Sequence, residues 1–176
     1  MAGDTSTDWS MSEKEDTALV KDEMRDKVFA LQREMLKLDG VYVRGGKLDA
    51  NELCPITHHF SKGVYGREMF IPKGVVLIGE IHKYSQFNIM SKGDLSVVVG
   101  DEVHRLKAPC SFVAPPGAKR VMYAHEDSIW TVIHGTDETD LEKIEAHFIA
   151  KDEQDYLVFC RLLEEKEKEK EKTCLG

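Results

Sequence analysis

The sequence predicts a mainly β domain, a small antiparallel barrel or sandwich, with one helix before it and one after it. Three observations carry that expectation. Short apolar runs of strand length recur between Val64 and His134, separated by turn signals at Pro72-Lys73-Gly74, Lys92-Gly93-Asp94 and Pro115-Pro116-Gly117. A capping-box sequence, Ser12-Glu13-Lys14-Glu15, opens a Gly-free stretch that runs to Asp39. The segment from Asp155 to Glu171 carries Tyr156, Val158, Phe159, Leu162 and Leu163 in its first half and reads as a second helix.

Each element follows from local pattern. Residues 1–11 are read as a flexible N-terminus, 12–39 as an amphipathic helix, 40–150 as the barrel and 151–176 as a helix with a charged tail. In the first helix Val20, Met24, Val28, Leu31, Met35 and Leu38 recur at intervals of three and four and draw one apolar stripe. That stripe packs either on the barrel of its own chain or on a second subunit. Residues 40–63 form a connecting segment with short strands. Its His58-His59 pair faces opposite sides of a strand and does not chelate one metal. The central run GVVLIGEIHKYSQFNIMSKG, residues 74–93, places Glu80 and His82 two residues apart and so on one strand face. Leu95–Val99 follows as a strand, then the apolar stretch 121–134, which ends in Trp130 and His134. The segment LEKIEAHFIA is read as a short helix, from the spacing of Leu141, Ile144 and Phe148, and then a strand.

Composition narrows the function classes. With 176 residues the chain is long enough for one domain with a real core. A net charge of -8, with the densest lysines (Lys166, Lys168, Lys170, Lys172) interleaved with Glu, argues against nucleic acid as a partner. No apolar run reaches the roughly 20 residues that span a bilayer, and the first residues lack a signal-peptide pattern, so no membrane is expected and the compartment is the cytosol. Cys54, Cys110, Cys160 and Cys174 lack CxxC spacing and are read as reduced thiols. Phosphate-binding Gly loops and GxSxG elbows are absent from the sequence.

The strand region resembles the cupin superfamily. Gly74, five residues, Glu80-x-His82, three residues, Gln86, six residues and Gly93 keep the spacing of the family's first motif. Pro109, five residues, Pro115-x-Gly117, two residues, Arg120, three residues and Ala124 keep that of the second. Of the four ligand positions only His82 has the family residue type; Glu80, Gln86 and Arg120 replace the others. The resemblance covers about residues 64–134 and implies a double-stranded β-helix, a jelly-roll barrel with a pocket in its mouth. The run AHEDSIWTVIHGTDETDLEKIEAHFIA is similar to small cupins of tailed-phage genomes, which implies a host-cytoplasm or virion setting.

On this reading Arg120 is cationic and offers no lone pair, so the expected cofactor is none. The alternative is a weakly held divalent transition metal on Glu80, His82 and Gln86, with His125 or His134 completing the set. Without metal, Glu80 and Arg120 either close as a buried ion pair or act in a ligand pocket. The candidate ligand-binding residues are Glu80, His82, Gln86, Asn88, Arg120, Tyr123, Trp130 and His134. Two function classes follow. One is a non-enzymatic oligomeric module, homo-oligomeric through a barrel edge and the N-terminal helix and able to join phage structural proteins. The other is a binding protein or enzyme for an anionic or sugar-like small molecule, in which His82 with Tyr123 or Tyr84 would move protons as in isomerases and epimerases of this fold. An open pocket with His82 free on one nitrogen favours the second; a plugged pocket with a closed Glu80 to Arg120 pair favours the first.

Overall fold

The computed structural model describes residues 23–39, 41–42, 48–99 and 102–174. Helix α1 (Glu23–Met35) and the single turn α2 (Ala50–Leu53) precede ten strands. These are β1 (Ile56–Ser61), β2 (Val64–Ile71), β3 (Val76–Ile78), β4 (Ile81–His82), β5 (Gln86–Lys92), β6 (Asp94–Val99), β7 (Glu102–Lys107), β8 (Cys110–Ala114), β9 (Val121–Ala124) and β10 (Ser128–Gly135). Helix α3 (Leu141–Phe148), strand β11 (Ile149–Ala150) and helix α4 (Glu153–Cys174) follow. The expected helix start at Ser12 and most of the stripe before Glu23 lie outside the described residues.

The strands form two antiparallel sheets, in the orders β1-β2-β10-β5-β8 and β3-β9-β6-β7, with β4 paired to β11 beside them. Apart from the hairpins β1–β2 and β6–β7, each step along the chain through these nine strands passes from one sheet to the other. That wrapping is a jelly roll, the expected mainly β architecture. Both sheets contribute to one core: Ile71, Met90, Phe112 and Trp130 from the first meet Leu95, Val97, Leu106 and Ala124 from the second. Strand alternation explains who points inward. Along β10, Ser128, Trp130, Val132 and His134 are buried, while the residues between them face out.

Turn chemistry fixes the crossings. Gly93, at the β5–β6 corner, has φ of +99°, and a Cβ there would lie 2.6 Å from the Ser128 Cα, so neither the backbone angle nor the space admits a side chain. The expected continuous strand through Glu80 is broken: Gly79 and Glu80 separate β3 from β4, and the Gly79 amide donates to the Arg120 carbonyl at 2.9 Å. Helix α3 is capped by Asp140, whose carboxylate accepts from the amides of Glu142 and Lys143. Its Ile144 and Phe148 pack on Tyr65 and Tyr84.

The flanking helices pack against one side of the barrel. Tyr156 and Cys160 of α4 bury with Ile81 and Ala150, with Phe29 of α1 and Phe159 beside them. Tyr156 is 2% exposed, and burial of a side chain of this size stabilises by roughly 2–3 kcal/mol. Within the predicted stripe Val28 is buried and Met35 half-buried, but Leu31 and Leu38 are 42% and 64% exposed. The buried face of α1 is instead centred on Arg25, Val28, Phe29 and Gln32. Residues spaced by about 100° each put Leu31 on its flank. The Arg25 guanidinium lies 5.1 Å from the Tyr156 ring centre and 3.7 Å from the Glu153 carboxylate, tying α1 to α4.

Candidate ligand-binding site

A cavity of about 530 Å³ opens into the barrel beneath α1. Its lining includes six of the eight candidate residues: Glu80, His82, Gln86, Asn88, Arg120 and Trp130. Strand register explains the grouping. Arg67 of β2 pairs with Val132 of β10, which pairs with Asn88 of β5, so all three point to the same inner face. The exposed Leu36, Tyr42 and Val76 are also in the lining, so the cavity reaches the surface.

Arg120 stands in the segment between Gly117 and β9. The Gly117 amide donates to the His82 carbonyl at 2.8 Å. Gly117 has φ of +76°, and a side chain there would enter the ring of Tyr156, so α4 presses directly on the turn that presents Arg120. Arg120 is 9% exposed, and burial pulls its guanidinium down to about 10, which leaves it cationic at neutral pH. Among the described residues no carboxylate pairs with it. The ion pair expected between Glu80 and Arg120 is therefore not formed. Although the Gly79 to Arg120 backbone bond brings the two segments together, the Glu80 charge acts on Lys119. Lys119 is itself buried, donates to the Gly79 carbonyl at 3.2 Å and lies 4.7 Å from the Phe29 ring centre. Burial lowers its ammonium pKa, and Glu80 opposes that shift.

His82 is 8% exposed and its Nδ1 is buried without a hydrogen-bond partner. Burial, then the charges of His134, Arg67 and Arg120, lower its pKa to about 3, so the ring is neutral across the physiological range. Gln86 is likewise buried, with an unpartnered Oε1. Asn88 is held firmly: it accepts from Trp130 Nε1 at 3.1 Å and donates to the Gln86 carbonyl at 3.1 Å. Gln32 of α1, also in the lining, has an unpartnered Oε1 too, and since buried polar atoms are ordinarily hydrogen-bonded, three orphans around one cavity are an invitation to a ligand.

Two candidates stand elsewhere. Tyr123 is 41% exposed on the outside of β9, with its ring against His125 at 4.7 Å; β9 alternation turns it away from the cavity that Met122 lines. Its expected role as a ligand contact or a partner acid for His82 is thereby corrected. His134 points inward but lies beyond the cavity, stacked between His82 at 5.5 Å and Phe148 at 4.1 Å. Tyr84, the other candidate acid, packs among His147, Phe148 and Phe159. His125 bonds Ser96 at 2.8 Å and does not complete a metal set. The donors facing the cavity do not suit a divalent ion. Among the described residues no three His, Cys, Asp or Glu side chains gather, and the guanidinium charges of Arg67 and Arg120 act on His82. Arg67 was missed in the sequence because β2 carries it with no motif; only the register reveals it.

Cys54, Cys110 and Cys160 are free thiols, and Cys54 lines the cavity with its pKa pushed up by burial. His58 bonds Tyr65 at 2.8 Å, while His59 faces the opposite way toward Glu68. Among the described residues no helix is long and apolar enough to cross a membrane.

No protein-family model matches the chain, and no curated protein matches it in sequence. Solved structures do. A cupin superfamily protein from Desulfitobacterium hafniense DCB-2 is 12% identical over 48% of this chain and 78% of its own, with a TM-score of 0.41. A cupin-2 domain containing protein from Shewanella frigidimarina NCIMB 400 is 14% identical over 64% of this chain and 99% of its own, with a TM-score of 0.39. The DMSP lyase DddQ from Ruegeria pomeroyi DSS-3 is 15% identical over 57% of each chain, with a TM-score of 0.45. The jelly roll assigned to this chain rests on its own strand order, and the structures similar to it include cupin superfamily proteins.

Proposed function

We propose that the barrel binds an anionic small molecule, with Arg120 as the contact for its charge. The observation that carries this is a buried, cationic Arg120 on the wall of an open cavity with no carboxylate partner among the described residues. A planar guanidinium suits a carboxylate or phosphate bidentately. His82 and Gln86 would supply the hydrogen bonds that now go unmade. The open cavity and the separated Glu80 and Arg120 favour this reading over a plugged structural barrel. The proton-transfer pairings of His82 with Tyr84 or Tyr123 have no support, since neither tyrosine lines the cavity. Calorimetric titration with acetate, benzoate, octanoate, inorganic phosphate and glucose 6-phosphate tests it. At least one anion is expected to bind, at least tenfold more weakly to Arg120→Gln. Binding by none, or binding indifferent to that change in a folded variant, refutes the reading.

A second reading is self-association, as a module of the kind that the resemblance to tailed-phage cupins implies for virion assembly. What favours it is the exposure of Leu31, Leu36 and Leu38 along and just after α1. Light scattering on the wild type and on Leu31→Glu checks it: an assembly that the substitution dissociates supports it, and a wild-type monomer rejects it.

A further inference from the structure

Resting on the anion-binding reading, we infer that the ligand is a carboxylic acid with an extended apolar body, not a sugar acid, a nucleotide or an inorganic anion. The division of the cavity wall carries the inference. Its polar side chains are the minority: Gln32, Asn51, Arg67, Glu80, His82, Gln86, Arg120 and Lys151 with the Tyr42 hydroxyl, while Asn88 is already committed to Trp130 and to the Gln86 backbone. Most of the rest is apolar, with Met69, Ile71, Leu77, Met122 and Val132 on the barrel wall and Met35 of α1 above them.

A volume of about 530 Å³ lies within the range of about 300–1,000 Å³ of small-molecule sites, so an inorganic anion at Arg120 would leave most of it unfilled. A sugar or nucleotide would fill it but would set several hydroxyls against thioether and aliphatic surface, and each polar group buried without a partner costs on the order of 1–3 kcal/mol. A carboxylate at Arg120, with methylenes or a ring along the Met and Ile wall, matches this division of the lining. Two flexible thioethers on the barrel wall, Met69 and Met122, and a third from α1 can repack around bodies of different shape.

The test is titration calorimetry of the full chain with acetate, butanoate, hexanoate and octanoate, the matched 1-alkanols, glucuronate and glucose 6-phosphate. Affinity is expected to rise about fourfold per methylene, the gain for moving one CH₂ out of water, until the cavity is filled. Each acid is expected to bind more tightly than its alcohol in the wild type and no more tightly in Arg120→Gln. Leu77→Phe, which narrows the apolar part, is expected to move the optimum to a shorter acid while preserving the preference for acid over alcohol. Acids whose affinity does not grow with length, or glucuronate or glucose 6-phosphate binding more tightly than octanoate, would overturn the amphipathic assignment and leave anion binding standing. No binding of any anion would overturn both.

Discussion

Replacing His134 by Phe should flatten the loss of stability that the wild type shows between pH 7 and pH 5. The physical basis is that His134 and His82 are both buried and neutral, with pKa values lowered to about 4 and about 3 against an ordinary value of 6.5. His134 is lowered by burial first and then by the charges of Arg67 and His147. Because the native state holds these rings below their unfolded pKa, the unfolded chain binds more protons at any pH between the two values. Stability therefore rises with pH in that window, is fully present above about 6.5, and is lost as the pH falls through the native values. At pH 5, 1.5 units below the unfolded pKa, each ring contributes a loss of about 2 kcal/mol, at about 1.4 kcal/mol per unit. The two together remove about 4 kcal/mol, a large share of the 5–15 kcal/mol typical of a domain. Phe suits the position sterically, since the ring sits between His82 and Phe148 with Tyr65 at 6.2 Å. Urea denaturation followed by circular dichroism at pH 7.5 and pH 5 measures the difference. With a slope of about 2 kcal/mol per molar, the wild-type midpoint should fall by about 1 M more than that of His134→Phe. Parallel losses in the two proteins would show that His134 is not a buried neutral base, and the argument from its ring stack would fail.

Three further outcomes are expected. Gly117→Ala should destabilise by at least 2 kcal/mol in thermal or urea unfolding, because it combines a left-handed backbone angle with overlap of the Tyr156 ring; a change below about 0.5 kcal/mol would mean that α4 does not press on this turn. Trp130→Phe removes the donor to Asn88 Oδ1 and should cost about 1–3 kcal/mol, read from the urea midpoint at constant slope; a neutral effect would mean that the amide finds another partner. Protein purified without a histidine tag should carry well under one equivalent of transition metal by mass spectrometry, since a cationic Arg120 stands where a fourth ligand would be needed; a stoichiometric metal would reverse the assignment of the cavity to an anion.

Much of the fold was legible because turn residues and strand alternation are local properties. Gly93 and Gly117 both adopt positive φ at corners marked by turn residues in the sequence, and α3 followed by β11 matches the pattern of Leu141, Ile144 and Phe148. The polar row was legible in part, since spacing two apart keeps Gln86 and Asn88 on one strand face. The apolar stripe of α1 was read less well. Helical period predicts which residues share a face but not which part of that face the protein covers, and Leu31 and Leu38 fall outside it.

By itself, then, the sequence determined the antiparallel barrel with its flanking helices, and six of the residues that line its cavity, because these depend on backbone conformation and side-chain alternation within single strands. The tertiary structure alone decided that Arg67 joins the site, that Tyr123 faces outward, that His134 is a packing ring behind His82, and that Arg120 is left without Glu80. Those outcomes depend on register and distance between strands far apart in the chain. The Gly79 amide donates to the Arg120 carbonyl, which brings the segments of Glu80 and Arg120 together, and only the direction of their side chains determines whether opposite charges pair or leave a cation facing an open cavity.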